Sequence, residues 1–313
     1  MKTVRTIAIF FLLLSALLLP TERVSAEETL IGVIMTGYSP YYSAMHDAFT
    51  DALNKRSAPQ EKVRFILQRP FPDPIALSNA ASKLIAADVD IIVAYGSPAT
   101  LAVIDEKSRI PVVYAGVYDP AAINLKAANV TGCGYRIPLS SLLRYLKRLT
   151  DVSSLYVIYS SLEEDSVRQT KELSDLTRKQ NLGLHEINIR TRGDLGEVAN
   201  RKTGEGFFIT CSSIVNQWLA EIMSSVKDNH RPSVAVIPDN NESGVIITLH
   251  QNPAAIGEKT AEMVSRVLHG ERPEDIPPEI LRETELVLNL REARDMGINV
   301  PIKIIAEATK VLR

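Results

Sequence analysis

The feature that most limits what this chain can fold into is an alternation. Short runs of β-branched and aromatic residues are separated by longer segments of helical period, and the series starts again near the middle of the sequence. Residues 30–35, 63–67, 90–95 and 111–115 read as strands, with helical spacing over 42–56 and 75–87 between them. Two glycines in Thr131-Gly132-Cys133-Gly134 then break regularity and mark a crossover. A second set follows: strands 154–159, 184–189, 206–210, 233–237 and 245–249, with helices 140–149, 164–179, 195–200, 214–226 and 253–268. A proline-rich link, a strand at 285–290 and a terminal helix at 304–312 close the chain. Alternating units of this kind build parallel sheets covered by helices on both faces. The expected fold is therefore α/β, with two lobes, each a doubly wound parallel sheet. The first lobe is expected to hold 27–136 plus about 245–272, and the second 137–244 plus about 273–313.

The beginning of the chain sets the compartment. Lys2 and Arg5 precede an apolar run from Ile7 to Leu19, and Val24-Ser25-Ala26 offers small residues for a cut before Glu27. The run is shorter than the ~20 residues a spanning helix needs, so residues 1–26 read as a cleaved signal peptide and the mature protein as periplasmic. Without that leader the chain keeps 32 basic against 36 acidic residues. So mild and dispersed an acidity lacks the basic patch that nucleic acid requires. Cys133 and Cys211, the two cysteines, read as small buried side chains, with a bridge between them left open.

In open parallel sheets, ligands bind beyond the carboxyl ends of the strands. Four strand ends here share a pattern: Ser39-Pro40, Ser97-Pro98, Asp119-Pro120 and Asn252-Pro253 each place an N-cap residue before a proline suited to the first helical position. Each pair serves equally as a plain helix cap. Together they aim several helix N-termini at one cleft, where free N–H groups and the positive end of the helix dipole favour carboxylate or phosphate. Ser97, Ala99 and Thr100 are the strongest group. Tyr38, Tyr41, Tyr42, Tyr95, Tyr118 and Tyr159 also lie at or just past strand ends, so the cleft should be walled by aromatic rings. Trp218, among Val215, Leu219 and Ile222, reads as core. Glu163-Glu164-Asp165 reads as first-turn acids of a helix, with Asp165 or Ser166 able to reach the cleft. Nucleophile-elbow, dinucleotide-binding, P-loop and H-E-x-x-H signatures are missing, and five histidines are scattered without ligand spacing. Neither enzymatic activity nor a metal or cofactor is expected.

These landmarks resemble the substrate-binding family of ABC transporters, of the tryptophan/tyrosine type, with a type I periplasmic-binding-protein fold. The resemblance rests on the order of Ile31-Gly32-Val33-Ile34, Ser97-Pro98-Ala99, Pro111-Val112-Val113-Tyr114, Val117-Tyr118-Asp119-Pro120, Asn129-Val130-Thr131-Gly132, Glu164-Asp165-Ser166, Leu268-His269-Gly270-Glu271-Arg272-Pro273 and Leu286-Val287-Leu288-Asn289. It implies a ligand held at the hinge between lobes and handed to an ABC permease in the inner membrane by a monomeric receptor. A sensory receptor using the same cleft is the alternative. Carried over by position, Ser97, Ala99 and Thr100 would hold a carboxylate, Asp119 would lie near an amine, and Ser160 with Asp165 would contribute from the second lobe; the strand-end reading adds Tyr38, Ser39, Tyr41, Tyr118, Ser212 and Asn252 to the expected ligand-binding set. Ser160-Ser161, Cys211-Ser212-Ser213 and Asn252 depart from the family pattern, which commonly has an acid at the position of Asn252.

Overall fold

The computed structural model describes residues 28–56, 62–123, 125, 127–200, 206–227, 231–236 and 244–313. The leader assigned to residues 1–26 lies outside them. The first lobe is built on β1 (Glu28–Met35), β2 (Lys62–Gln68), β3 (Ile91–Tyr95), β4 (Val112–Tyr118) and β5 (Val130–Tyr135), with helices α1 (Pro40–Arg56), α2 (Pro74–Ala86) and α3 (Ser97–Asp105) between them. The second carries α4 (Leu139–Leu149), β6 (Ser154–Tyr159), α5 (Glu164–Lys179), β7 (Gly183–Asn188), α6 (Gly196–Ala199), β8 (Gly206–Ile209), α7 (Ser213–Gln217), α8 (Leu219–Lys227), β9 (Ser233–Ala235) and β10 (Ile247–His250). Then α9 (Pro253–Leu268) and β11 (Glu279–Leu281) return to the first lobe. The second lobe is completed by β12 (Glu285–Asn289), α10 (Leu290–Asp295), α11 (Ile302–Glu307) and β13 (Lys310–Leu312).

The first sheet runs β11-β5-β4-β3-β1-β2 and is parallel throughout. The second runs β13-β12-β10-β9-β8-β6-β7, with one antiparallel pairing, β10 with β12. Strand period fixes how helices cover them. Ile31, Val33 and Met35 of β1 face one way and join Met45, Phe49 and Ile256 from α1 and α9. Ile34 points to the other face, among Leu77, Ala81 and Leu84 of α2. Such double burial explains why β3 reads as an unbroken apolar run.

The chain crosses between lobes three times, at 136–138, 251–252 and 282–284. The buried Gln251 side chain ties these crossings together, its Nε2 donating to Arg136 O at 3.3 Å and Leu281 O at 3.2 Å. The elements differ from those expected in four ways. The Thr131–Gly134 glycines lie inside β5, where Gly132 lets β4 approach so closely that a Cβ would sit 2.3 Å from Tyr114 O. β10 pairs with β9 and so belongs to the second lobe, while β11, in the proline-rich link, edges the first. The expected terminal helix is short and gives way to β13. The helix expected over 214–226 is two helices that part at Trp218, which is half-buried against the core. Cys133 and Cys211 are free and buried.

α1 and α9 pack closely because Gly257 has no side chain. A Cβ there would lie 2.2 Å from Met45 O and 2.9 Å from Phe49 N. Gly257→Ala is therefore expected to lower the unfolding free energy by about 1–3 kcal/mol in urea titrations. Gly196→Ala, whose Cβ meets nothing within 4 Å, is expected to stay within about 1 kcal/mol of the parent.

Candidate functional site

Each strand order reverses at one pair of neighbours, β1/β3 in the first sheet and β6/β8 in the second. The crevice beyond the carboxyl ends at such a reversal is where open parallel sheets bind ligands. In the first crevice Thr36 donates from N and Oγ1 to Tyr95 O, at 3.1 and 2.8 Å, and Oγ1 accepts from Ala99 N at 3.1 Å. In the second, Ser160 N donates to Ser166 Oγ at 3.0 Å, Ser166 Oγ meets Thr210 Oγ1 at 2.6 Å, and Thr210 Oγ1 donates to Ile158 O. The crevices face each other so closely that a Cβ on Gly37, which sits at φ +69, would lie 2.7 Å from Ser213 Oγ of the other lobe.

Two buried carboxylates stand at this interface. Asp165, at the start of α5, accepts from Ser97 N (2.9 Å), Ser97 Oγ (2.5 Å) and Tyr118 N (3.1 Å), all from the first lobe. Arg168 pairs with it at 2.5 Å and donates also to Ser97 Oγ (3.0 Å) and Tyr118 O. Burial raises the Asp165 pKa, opposed by Arg168 and the Ser97 and Tyr118 donors. Glu163 stays within the second lobe, its Oε1 accepting from the N and Oγ of Ser213 at the start of α7. Burial pushes its pKa up to about 7 against the donors from Ser212, Ser213 and Ile214.

Between these acids lies an aromatic floor. Tyr135 meets Tyr41 and Tyr118 edge-on at 6.4 and 5.6 Å between ring centroids, and Tyr42 lies 5.9 Å from Tyr41. Desolvation raises the hydroxyl pKa values of Tyr41, Tyr42 and Tyr135, and the neighbouring acids raise them further, so all three stay protonated. Five buried polar atoms here lack a hydrogen-bond partner among N and O atoms: Nε and Nη1 of Arg168, Gln169 Nε2, Glu163 Oε2 and Tyr135 Oη, which has only the Cys211 thiol beside it. The Gln169 amide is oriented by its other end, which accepts from Cys211 N at 2.7 Å. Buried polar groups are normally paired, so a cluster of orphans asks for a partner the protein itself does not supply. A cavity of about 160 Å³ opens between Gly37, Tyr38, Arg69 and Phe71 of one lobe and Ser213 and Gln217 of the other, and it reaches toward this group through Ser213, which donates to Glu163.

The residues singled out from the sequence fall into three groups. Ser97, Tyr118, Asp165 and Tyr41 meet at the lobe interface, and Ser160 and Ser212 are buried at the second crevice, where Ser212 caps α7. Ala99 and Thr100 are buried but engaged locally, Ala99 N with Thr36 and the Thr100 N and Oγ1 with Gly96 O. Ser39 accepts from Tyr41 N, and Tyr38 stands 66% exposed at the mouth with Arg69 over its ring. Asp119 and Asn252 belong to the hinge surroundings instead: Asp119 pairs with Arg136 at 2.8 Å, and Asn252 caps α9 while donating to Glu285. Glu163 drew notice only as a first-turn acid, and Tyr135, Arg168 and Gln169 drew none. A signal existed for Gln169, since α5 buries Asp165, Ser166, Gln169, Thr170 and Thr177 on the stripe where a core helix would carry aliphatic residues. Among the described residues no group of three His, Cys, Asp or Glu could hold a metal ion. No described helix is long and apolar enough to cross a membrane.

Two parallel-sheet lobes joined by three crossings, with crevices opposed at the hinge, define a type I periplasmic-binding-protein fold. Residues 31–312 match the family of ABC transporter substrate binding proteins, and the chain belongs to it. It is 23% identical over 275 residues to a tyrosine-binding protein of Clostridioides difficile, covering 85% of this chain and 80% of that protein. Among solved structures it resembles an ABC domain from Streptococcus pneumonia in complex with L-Trp (TM-score 0.81, 22% identity, 91% of this chain and 100% of that one). It also resembles a Clostridium difficile substrate binding protein with adhesive properties in a ligand-free, open structure (TM-score 0.63, 22% identity, 91% and 99%).

The buried Glu163 makes stability depend on pH in a definite direction. Its folded pKa of about 7 exceeds the ordinary 4.5, so its favourable contribution is complete below pH 4.5 and is lost as pH rises to about 7. The loss amounts to roughly 3 kcal/mol at 1.36 kcal/mol per pKa unit. Glu163→Gln keeps an oxygen for the Ser213 donors and removes the titration. Urea midpoints of parent and variant are expected to diverge in the variant's favour between pH 4.5 and 7, and to run parallel above.

Proposed function

We propose that this protein is the exported, periplasmic receptor of an ABC importer, binding an aromatic amino acid or a related carboxylate between its lobes and presenting the closed form to an inner-membrane permease. The observation that carries this reading is three of these unpartnered buried atoms. Gln169 Nε2 and Tyr135 Oη are donors suited to a carboxylate, and Glu163 Oε2 is an acceptor suited to an ammonium. The rings of Tyr41, Tyr42 and Tyr135 supply the flat, apolar surface that an aromatic side chain prefers. The relatives named for tyrosine and crystallised with L-Trp support the same class of ligand. The basic, apolar leader at residues 1–26 supports export. Ser97 and Asp165 take part by joining the lobes around the ligand, while Tyr38 stands at the entrance.

A ligand that binds only the folded state raises the melting temperature in proportion to RT ln(1 + [L]/Kd). L-Trp, L-Tyr and L-Phe are expected to raise that of the mature protein, and indole, which lacks both charged groups, to leave it unchanged. No shift with any amino acid would refute the proposal. Tyr135→Phe removes a hydroxyl whose only polar neighbour is the Cys211 thiol, so it is expected to change stability by less than about 1 kcal/mol while weakening the amino acid about tenfold, as for a lost hydrogen bond to a charged group. Affinity measured by calorimetry is expected to rise from pH 5.5 to about 7 and then level off, because an ammonium favours ionised Glu163; Glu163→Gln should abolish the rise.

A further inference from the structure

The cleft does not end at its orphaned atoms. Ser213, whose N and Oγ donate to Glu163, also lines the cavity of about 160 Å³ at the mouth. A dry cavity of ~150 Å³ is enough to admit a benzene molecule. The mouth therefore has room for one aromatic ring, or for the far end of one, directly outward of the buried acid.

The first-lobe wall of this cavity is firm. Gly37 N donates to Pro70 O at 3.1 Å, which ties the loop after β1 to the loop after β2. Pro70, Pro72 and Pro74 restrict the second loop, and Asp73 among them caps α2 by accepting from Ile75 N and Ala76 N at 3.0 Å each. These loops hold Tyr38 and Phe71 at the cavity's edge, 66% and 44% exposed. Exposed rings beside a concavity are suited to receive a flat apolar group. From the second lobe Ser213 and Gln217 line the same cavity, one turn apart on α7.

Arg69 supplies the charge. Its guanidinium carbon lies 5.8 Å from the centre of the Tyr38 ring, and among the described residues no carboxylate pairs with it. The cavity lining contains no acidic residue. An aromatic wall with a free guanidinium, an amide and no acid favours a flat group that ends in a hydrogen-bond acceptor or an anion.

We infer that the mouth cavity is a specificity subsite of the cleft, taking the far end of the ligand's side chain, and that Arg69 and Gln217 select a single ring ending in an acceptor or an acid. This rests on the binding of an aromatic amino acid proposed above. With the ammonium at Glu163, the side chain departs beside Ser213, runs from the tyrosine floor into the mouth and ends by Tyr38 and Phe71. A 4-hydroxyl or 4-carboxyl group then meets a guanidinium from one lobe and an amide from the other. A bare ring leaves Arg69 to water, and a basic group is repelled.

The test compares L-phenylalanine, 4-carboxy-L-phenylalanine and 4-aminomethyl-L-phenylalanine by isothermal titration calorimetry, on mature protein freed of carried-over solute by unfolding and refolding. The three differ only at the far end of the ring. The parent is expected to bind the carboxyl compound about tenfold more tightly than the aminomethyl one, the combined effect of gaining one partly exposed ion pair and avoiding one repulsion. Arg69→Ala is expected to bring the two within about twofold, and Arg69→Glu to invert the order. Gln217→Glu, which adds an acid from the opposite lobe, is expected to reduce the preference severalfold. Both positions are exposed, so the variants are expected to melt within a few degrees of the parent. L-Phenylalanine bound by a parent that shows no preference, or a preference that survives Arg69→Glu, overturns the subsite and leaves the proposed function standing. No binding of any of the three overturns both.

Discussion

A carboxylate buried between two domains has to find donors on both sides or it drives them apart. Asp165 finds them on the far side: two backbone amides and a hydroxyl of the first lobe, with Arg168 as counter-charge from its own helix. Charge-assisted bonds of this kind are stronger than neutral ones, and their loss leaves a buried ion unsatisfied. The relative placement of the two lobes follows from this. Once Asp165 is seated on α3, Gly37 is brought against Ser213 and Tyr41, Tyr42 and Tyr135 are shut in beneath the acids.

The hinge must permit rotation without letting the three crossings separate. Gln251 meets that need with a side chain rather than a strand ladder, holding the Arg136 and Leu281 carbonyls from within. Around it, His250 and Asn252 share Glu285, and Arg136 pairs with Asp119. The side chains of Asp119 and Asn252 are thus both engaged beside the crossings, by Arg136 and by Glu285 and the first turn of α9. The hydrophobic core supports the same arrangement, because one continuous cluster runs from β1 through Ile137 and Leu139 into the second sheet.

Much of the fold was legible because burial on both sides of a parallel strand leaves an apolar run that polar helices cannot imitate. The segments around Ile31, Ile92 and Val157 showed it plainly, and the restart of the pattern gave two lobes. What escaped notice was edge structure. β11 and β13 are three residues each, too short for any period to register, and β5 hides its strand character behind glycines that exist to admit Tyr114. The site was half legible. The Ser-Pro pair at a strand end located Ser97 and its surroundings, although Gly96 and not Ser97 is the N-cap of α3 and the Ser97 hydroxyl goes to Asp165 instead; which groups are satisfied by the opposite lobe depends on a contact 68 residues away in sequence.

The same reasoning separates binding groups from closing groups. A residue whose polar atoms are all answered within the protein gains nothing further from a solute, whereas one left unanswered at full burial carries a cost that only a solute can relieve. Ser97, Ala99 and Thr100 are of the first kind; Gln169, Tyr135 and Glu163 are of the second. The departures at Cys211-Ser212-Ser213 sit beside the second group, where the Cys211 amide orients Gln169 and the Ser213 donors hold Glu163. On the proposed function, solute recognition is concentrated on the second lobe and the floor of the cleft, while the first-lobe helix end that looks most like an anion site is occupied by Asp165 of the opposite lobe.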